Sequence, residues 1–289
     1  MNHNLKSAGQ RFKEVITSES KLPLQIVGVI NASCALLAKQ AGFKALYLSG
    51  AGIANAAYGW PDLGVTSISE VAEEIRRVTQ AVDLPLLVDG DTGWGNRLTI
   101  QRMMKEFMQA GAAAVHLEDQ TWPKRCGHRT GKQVVSTIDM CDRIKAAVDA
   151  REDPRFVIMA RTDALGVENL NQAVERAVEY VKAGADMIFA EAITELKQYK
   201  AFVDAVSVPV LANITEFGQT PLFTLEELQS VGVRMALYPL SAFRMMNKAA
   251  ERLYQTLKEQ GSQKNLIKEM QTREELYSLL NYYEKESNL

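Results

Sequence analysis

Short apolar segments alternate with helical segments along almost the whole chain, and this alternation limits the possible folds more than any other feature. Eight of the apolar segments are typical of strands, because parallel strands that are covered on both faces consist of nearly continuous apolar runs. They span residues 25–30, 44–48, 85–89, 113–118, 156–160, 187–191, 208–212 and 233–238.

The segments between these runs carry signals of helix starts and helix ends. Three starts have the capping-box pattern, in which Ser or Thr precedes Glu by three residues: Ser67, Thr224 and Thr272. Three glycines stand where a helix would end before the next strand begins: Gly42, Gly111 and Gly184. The chain is therefore expected to alternate strand and helix eight times.

Eight strands that alternate with helices predict an α/β fold of the (β/α)8 TIM barrel type. A doubly wound open sheet is disfavoured because no Gly-x-Gly-x-x-Gly turn follows the first strand. The chain has no linker rich in Pro, Gly or Ser, so we expect one domain over residues 1–289, with an N-terminal helix at about 5–18. Two more helices, 241–259 and 272–284, would form a C-terminal extension over 241–289 that packs on the barrel or on another subunit.

Composition and charge exclude several classes of partner. The formal net charge of −2 gives no electrostatic basis for binding nucleic acid or an anionic membrane, and no apolar run approaches the length of a membrane span. The first residues lack the pattern of a signal peptide. The three cysteines are odd in number and lack metal-type spacing, which favours reduced thiols. We expect a cytoplasmic protein that binds a small molecule.

Acidic side chains follow two neighbouring predicted strands, and in a (β/α)8 barrel the carboxyl ends of the strands build the active site. Asp89 and Asp91 end the third strand, Glu118 ends the fourth, and Asp62 lies between the second and third. Hard carboxylate oxygens without nearby thiolates or paired histidines suit Mg²⁺ or Mn²⁺. The alternative is that these acids cap loops and helices. A cap needs only one acidic residue, whereas Asp-x-Asp is accompanied here by a Glu from the next strand. We therefore predict a metal site.

A second set of polar residues, most of them at or after the strand ends, could bind carboxylates. Arg161, Arg244 and Arg273 offer guanidinium groups, which match a carboxylate with two parallel hydrogen bonds. Asn213 and Thr215 end the seventh strand. Each arginine alone would more often be a surface residue, but together with metal-binding acids they indicate a small polycarboxylate substrate.

Lys124-Arg125-Cys126-Gly127-His128 is the segment with the most unusual chemistry. A thiol between two cations and near an imidazole lies in a positive field, which favours its thiolate and suits proton exchange near neutral pH. One alternative is an exposed basic loop with a stray cysteine. Another is a Schiff base on Lys124, which is disfavoured because such a lysine normally lies desolvated on a strand.

The segment 124–128 resembles the signature of the isocitrate lyase and phosphoenolpyruvate mutase superfamily, and most closely that of its 2-methylisocitrate lyases. The resemblance extends over nearly the whole chain, through Pro61-Asp-Leu-Gly64, Asp89-x-Asp-x-Gly-x-Gly95, His116-Leu-Glu-Asp-Gln120 and Ala212-Asn-Ile-Thr-Glu216. In that superfamily the cysteine distinguishes lyases from the mutases that form phosphonates, so Cys126 favours a lyase.

The resemblance implies a (β/α)8 lyase that depends on Mg²⁺, with Mn²⁺ as a possible substitute, and that cleaves 2-methylisocitrate to pyruvate and succinate in the methylcitrate cycle of propionate catabolism. It implies that Asp89 and Asp91 hold the metal, with Glu118 and Asp62 in support. It also implies a homotetramer whose subunits exchange C-terminal helices, and a mobile loop that carries Cys126. Alternatives are a lyase of the isocitrate or dimethylmalate type, an oxaloacetate hydrolase, and a metabolite-binding barrel without catalysis.

The resemblance also assigns roles in the substrate pocket. Cys126 would protonate the succinate carbanion, and Tyr47 and Glu191 are the candidate bases. The other residues expected to touch substrate are Ser49, Gly50, Ala51, Gly127, Arg161, Glu191, Asn213, Ile214, Thr215, Arg244 and Arg273.

Overall fold

The protein is a closed barrel of eight parallel strands in chain order, with the eighth strand paired to the first. The computed structural model describes residues 6–18 and 21–289. The strands are β1 Leu24–Gly28, β2 Ala45–Leu48, β3 Leu86–Asp89, β4 Ala114–Glu118, β5 Val157–Thr162, β6 Met187–Ala190, β7 Val210–Asn213 and β8 Met235–Tyr238. The predicted fold class and all eight predicted strands are confirmed, and the largest discrepancy at a strand end is two residues.

Helices follow the strands around the outside of the barrel. They are α1 Ala8–Ile16, α2 Ala32–Gln40, α3 Gly50–Tyr58, α4 Ile68–Ala81, α5 Arg97–Gln109, α6 Thr137–Asp149, α7 Leu170–Lys182, α8 Leu196–Ala205, α9 Leu225–Ser230, α10 Ser241–Gln260, α11 Arg273–Leu280 and α12 Tyr282–Glu286. Short 3₁₀ turns span Ala164–Gly166 and Lys264–Glu269. No helix in the part of the chain that the structure describes is long and apolar enough to cross a membrane.

The local signals predicted from the sequence produce these helix ends. Ser67, Thr224 and Thr272 each accept a hydrogen bond from the backbone N–H of the Glu three residues on, and the side chain of that Glu accepts one from the backbone N–H of the cap residue. Gly42, Gly111 and Gly184 adopt φ values of 91°, 95° and 111°, which place them in the left-handed region that stops a helix.

The barrel has two apolar cores, one inside the barrel and one between the strands and the helices. Successive side chains of a strand point to opposite faces, so they contribute alternately to the two cores. On β2, Leu46 and Leu48 pack outward against the helices, whereas Tyr47 belongs to the cluster inside the barrel. Phe12 and Ile16 of α1 join that inner cluster. Their burial confirms the N-terminal helix, although Leu5 of the predicted range lies outside the described residues. The inner core and α1 close one end of the barrel, which leaves the carboxyl ends of the strands for a site.

The C-terminal extension is only partly as predicted. The helix expected over 272–284 is wrong, because Asn281 adopts a left-handed φ of 51° and divides it into α11 and α12. The long helix α10 agrees with its predicted range, but none of its residues is buried. Large apolar side chains are exposed along the extension: Met245, Met246, Tyr254, Ile267, Met270, Leu276 and Tyr283.

Candidate active site

A cavity at the carboxyl ends of the strands brings together most of the residues that the sequence predicted for the site. The predicted residues that line it are Tyr47, Ser49, Ala51, Asp62, Asp89, Cys126, Gly127, Arg161, Glu191, Asn213, Thr215 and Arg244. Lys124, Arg125, His128 and the apolar Phe189 and Leu237 complete much of the lining.

Five predicted residues lie outside this lining. Gly50 and Asp91 are adjacent to it, since the Gly50 N–H donates to Asp89 and Asp91 contacts Lys124. Glu118 lies behind Arg161, at 3.5 Å from the guanidinium. The Ile214 side chain packs in the outer core. Arg273 is exposed on α11 and does not line the cavity in this chain.

A loop that covers the cavity carries the cysteine segment. We call residues 121–133 the flap, because a bridge between Gln120 and Val134 closes its base. The volume of the cavity under the flap is only about 100 Å³, whereas pockets for small ligands are roughly 300–1,000 Å³. The flap is therefore in a closed position, and it must move before a substrate can enter.

Asp89 at the end of β3 accepts hydrogen bonds from three groups of the site. Its Oδ2 accepts the Gly50 N–H at 3.1 Å and the Tyr47 hydroxyl at 3.3 Å, and its Oδ1 accepts the Asp91 N–H at 3.1 Å. Burial opposes its charge, but the positive potential of its surroundings lowers its pKa to about 2. Asp89 is thus held as a carboxylate with fixed orientation.

At the neighbouring acids, Asp91 and Glu118, nearby positive charge does not offset the cost of burying a carboxylate. Burial raises the pKa of Asp91 to about 6, despite the Lys124 ammonium beside it, and burial raises the pKa of Glu118 well above its usual value. The Glu118 Oε1 atom is buried and has no hydrogen-bond partner. Buried carboxyl groups that ionise with difficulty, one of them with an unpartnered oxygen, fit a hard divalent cation, which would stabilise their charged form. Among the described residues no three acidic, His or Cys side chains are already arranged around one point, and the Lys124 ammonium lies among these acids.

Arg161 of β5 is the main buried cation of the site. Its guanidinium lies 2.9 Å from Asp163, 3.2 Å from Glu191 and 3.5 Å from Glu118, above the ring of Phe189. Burial alone would lower its pKa, but these three carboxylates raise it well above the usual value. Arg161 is therefore permanently charged at the position where the sequence predicted carboxylate binding.

Hydrogen bonds on both ring nitrogens hold His128 of the flap in place. The Gln219 backbone N–H donates to His128 Nδ1 at 3.1 Å, so Nε2 carries the proton and donates to Glu191 Oε1 at 3.0 Å. His128 therefore connects the flap to Glu191.

Two residues that the sequence did not indicate as site residues also hold the flap closed. The buried Lys132 ammonium donates to the Gly127 carbonyl at 2.5 Å and to Asp163 at 2.8 Å. The Gln219 side chain donates to the His128 carbonyl at 2.8 Å. Lys132 could have been noticed only as the last cation of a basic stretch, and nothing in the sequence marked Gln219.

Lys124 is buried, with 4% of its surface exposed. Lys124 thus lies on a loop and not on a strand, but it is desolvated, so the argument from the sequence against a Schiff base holds only in part. Burial disfavours its charge, but Asp91, Asp62 and the other acids raise its pKa well above the usual value. A lysine held as ammonium is not a nucleophile, so the Schiff-base alternative is still disfavoured, for a different reason.

Tyr47 and His116 form a neutral pair beside Asp89. The Tyr47 hydroxyl lies 3.0 Å from His116 Nε2. Burial raises the pKa of Tyr47 well above its usual value and lowers the pKa of His116 to about 4. Both side chains are therefore uncharged at neutral pH, and they can relay a proton but hold no charge of their own.

Gly127→Ala is expected to lower kcat/KM about 100-fold, because a 1 Å misplacement in a site costs about that much. A Cβ at Gly127 would lie 2.3 Å from the Arg161 guanidinium and 2.7 Å from Glu191, so the flap could not close in this position. Thermal unfolding should change little, since the flap is a surface loop. Thr130→Ala, at an exposed flap position, is the matched control. Wild-type kcat/KM in the Gly127 variant would show that this closed position is not required.

Comparison with known proteins agrees with this geometry. Residues 12–258 match the model of the phosphoenolpyruvate phosphomutase family. The chain is 57% identical over 287 residues to a 2-methylisocitrate lyase of Escherichia coli (strain K12), an alignment that covers 99% of this chain and 96% of that protein. A crystal structure of 2,3-dimethylmalate lyase superposes with a TM-score of 0.89 at 31% identity, over 98% of this chain and 94% of that one. Phosphonopyruvate hydrolase in complex with oxalate and Mg²⁺ superposes with a TM-score of 0.85 at 26% identity, over 98% of each chain.

Proposed function

Since this chain belongs to the phosphoenolpyruvate phosphomutase family and shares more than half of its residues with a 2-methylisocitrate lyase, we propose that it cleaves 2-methylisocitrate to pyruvate and succinate. The observation that supports this best is one cavity lined by a thiol, a buried arginine and a metal-type carboxylate. That combination suits carbon–carbon cleavage of a small polycarboxylate. The corresponding place in metabolism is the methylcitrate cycle of propionate catabolism.

The substrate carboxylates would bind at two sides of the cavity. Arg161 and Arg244 supply positive charge, and Asn213 and Thr215 supply neutral hydrogen bonds from the end of β7. Ser49 precedes α3 and makes no capping hydrogen bond, so its hydroxyl is available to a ligand at a helix N-terminus. Gly50 and Ala51 would contact the pyruvate half beside Ser49, and Ile214 would contribute only backbone atoms because its side chain points into the outer core.

Asp89 and Asp91 would hold Mg²⁺ or Mn²⁺, with Glu118 and Asp62 in support. When bound, the ion supplies positive charge to the hydroxyl and carboxylate oxygens of the pyruvate half. This assignment is supported by the unpartnered Glu118 oxygen and by the raised pKa of Asp91. The similar structure of phosphonopyruvate hydrolase in complex with oxalate and Mg²⁺ also supports it.

Proton transfer requires a base on the substrate hydroxyl and an acid for the leaving carbanion. Cys126 is the proposed acid, because its thiol lines the cavity from the flap side. Of the two candidate bases, Glu191 already accepts hydrogen bonds from Ala192, His128, Asn213 and Arg161, which suits an anchor more than a base. Tyr47 would act through its contact with His116, as a relay rather than as a phenolate.

The proposed assembly is a homotetramer in which C-terminal helices exchange between subunits. Helix α10 buries none of its own residues and the extension exposes a series of apolar side chains, as expected of a segment that packs on another copy. Exchange would also give a role to Arg273, which does not reach this chain's cavity but lies on the exchanged part. Analytical ultracentrifugation should find four subunits, and a monomer at micromolar concentration would contradict the proposal.

A coupled assay for pyruvate release tests the proposed reaction. We expect pyruvate from 2-methylisocitrate in the presence of Mg²⁺, and loss of that activity when EDTA is added and its return when Mg²⁺ is restored. Isocitrate, 2,3-dimethylmalate and oxaloacetate are the comparison substrates, because a related lyase or hydrolase would prefer one of them. No pyruvate from 2-methylisocitrate with Mg²⁺ present would reject the proposed function.

A further inference from the structure

Lys132 of the flap occupies a buried position that is shaped to hold a cation. Its side chain is 2% exposed and that of Asp163 is 0% exposed, and the two charged groups lie 2.8 Å apart. A Cβ at Gly166 would lie 3.2 Å from Lys132 Nζ, so a residue without a side chain at that position leaves room for the ammonium. A buried ion pair is costly unless its groups are well matched. The structure therefore gives this cation a defined position, which calls for a role in the reaction.

Lys132 also holds the backbone next to Cys126. Its Nζ donates to the Gly127 carbonyl at 2.5 Å, and the Arg129 N–H donates to the Cys126 carbonyl at 2.9 Å. Two successive carbonyl groups, that of the cysteine and that of the next residue, are thus fixed within the flap. Because Lys132 contacts Asp163 of the barrel at the same time, it sets the position of Cys126 relative to the barrel.

Asp163 connects Lys132 to Arg161, the residue that is expected to bind a substrate carboxylate. Asp163 Oδ2 accepts a hydrogen bond from Arg161 Nε at 2.9 Å. Its Oδ1 accepts one from Arg161 Nη2 at 3.2 Å and one from Lys132 Nζ at 2.8 Å. The Asp163 backbone is also fixed, since its N–H donates to Asp119 at 2.8 Å. Lys132 and Arg161 therefore share one carboxylate that is held in place.

Without Lys132, the side of the cavity around Arg161 would carry an excess of negative charge. Arg161 contacts two buried carboxylates, Asp163 and Glu191. Burial opposes the charge of both, but Arg161 keeps the pKa of each below its usual value, so both are ionised. The third carboxylate beside Arg161, Glu118, would be matched by the proposed divalent ion. Closure of the flap adds the Lys132 charge, which offsets an excess that would otherwise repel a substrate carboxylate.

We propose that Lys132 is a positioning residue that couples the binding of a substrate carboxylate at Arg161 to the placement of Cys126. This inference rests on the proposed lyase reaction and adds a residue to it. A carboxylate at Arg161 competes with Asp163 for the guanidinium, and Asp163 then pairs more fully with Lys132. Lys132 in turn holds the Gly127 carbonyl, so the thiol is in place when the substrate is bound. By linkage, closure of the flap strengthens substrate binding by the same free energy.

Lys132→Met keeps the aliphatic stem and removes the charge. We expect its KM for 2-methylisocitrate to rise at least about tenfold, because the offsetting charge is lost. Its kcat should fall about 100-fold, because Cys126 is displaced. Lys132→Arg restores a positive charge, so its KM should return to within about threefold of wild type. Its kcat should stay low, because a planar guanidinium does not reproduce the ammonium contact with the Gly127 carbonyl.

Lys13→Met is the matched control, since it removes an equal charge from an ion pair with Asp186 at the opposite end of the barrel. It should keep the wild-type KM and kcat. A Lys132 that served only the stability of the fold would lower the unfolding temperature and leave both kinetic constants unchanged. Thermal unfolding verifies that each variant is folded, and Lys132→Arg alone tests the placement of Cys126 if Lys132→Met does not fold.

Alkylation of Cys126 by iodoacetamide reports on the flap independently of turnover. Cys141→Ser removes the other partly exposed thiol and Cys34 is buried, so Cys126 is the accessible thiol of that variant. With Lys132 present, we expect Mg²⁺, pyruvate and succinate together to slow the alkylation at least about tenfold, because they favour the closed flap. In the added presence of Lys132→Met, the same ligands should slow it less than about twofold.

Equal protection of Cys126 with and without the Lys132 charge, or wild-type KM and kcat in Lys132→Met, would overturn the inference and leave the proposed reaction intact. An absence of protection while Lys132 is present would also overturn it. If the wild-type protein releases no pyruvate from 2-methylisocitrate, the proposed function fails. A loss of protection in Lys132→Met would then still support the coupling between the flap and the bound carboxylate.

Discussion

Cys126→Ser is expected to lower kcat for pyruvate release by about 10²–10⁴, the range typical of a lost general acid. A serine hydroxyl is a far weaker acid than a thiol, so it could not give a proton to the departing succinate carbanion at a useful rate. The fold should not suffer, because Cys126 is half-buried on the flap and belongs to neither apolar core. The substitution changes one atom, so KM should change little and the loss should appear in kcat.

The measurement is steady-state kinetics on 2-methylisocitrate with Mg²⁺, together with substrate affinity from calorimetry. Cys141→Ser on α6 is the control, since it removes a partly exposed thiol far from the cavity lining. We expect that control to keep wild-type kcat. Wild-type turnover in the Cys126 variant would remove this thiol from the proton-transfer step, and the search for the acid would move to groups on the barrel side.

The fold was predictable because its signals are local. Continuous apolar runs fix the strands, and caps such as Ser67 and Gly42 fix the ends of the helices within a few residues of each signal. The positions of Asp89 and Glu118 followed from the same signals, since a strand end places its residue at one edge of the barrel. Where a local conformation deviates from its pattern, as at Asn281, the sequence predicted one helix and the structure has two.

The state of the flap could not be predicted, because it depends on contacts between distant parts of the chain. The burial of Lys124 depends on Asp62, 62 positions away in the chain. The position of the His128 ring depends on a hydrogen bond from a backbone N–H of Gln219, 91 positions away. Sequence reasoning could place the basic residues around Cys126, but it could not tell which of them are neutralised by acids. The sequence therefore predicts which residues form the site better than it predicts the charges that these residues experience there.

Asp89→Asn is expected to abolish metal-dependent pyruvate release, because it removes the charge of the carboxylate that would bind the ion most directly. Asn keeps one oxygen that can accept the Gly50 N–H and the Tyr47 hydroxyl and loses the acceptor for the Asp91 N–H, whereas Ala would leave all three donors without this partner. A buried donor left without a partner costs about 1–3 kcal/mol. Asp89→Ala should therefore lose both activity and stability, and Asp89→Asn should lose mainly activity.

Titration of Mg²⁺ in the pyruvate assay and by calorimetry measures both effects for Asp89→Asn. We expect the Mg²⁺ affinity to fall at least about 100-fold, since a charged oxygen ligand is lost from a site of few ligands. Asp186→Asn is the control, because Asp186 pairs with Lys13 and Arg151 at the amino end of β6, opposite the cavity. That variant should unfold at a lower temperature and keep the wild-type Mg²⁺ dependence. An unchanged Mg²⁺ affinity in Asp89→Asn would mean that the ion is held elsewhere, and the role of Asp91 would have to be reassigned with it.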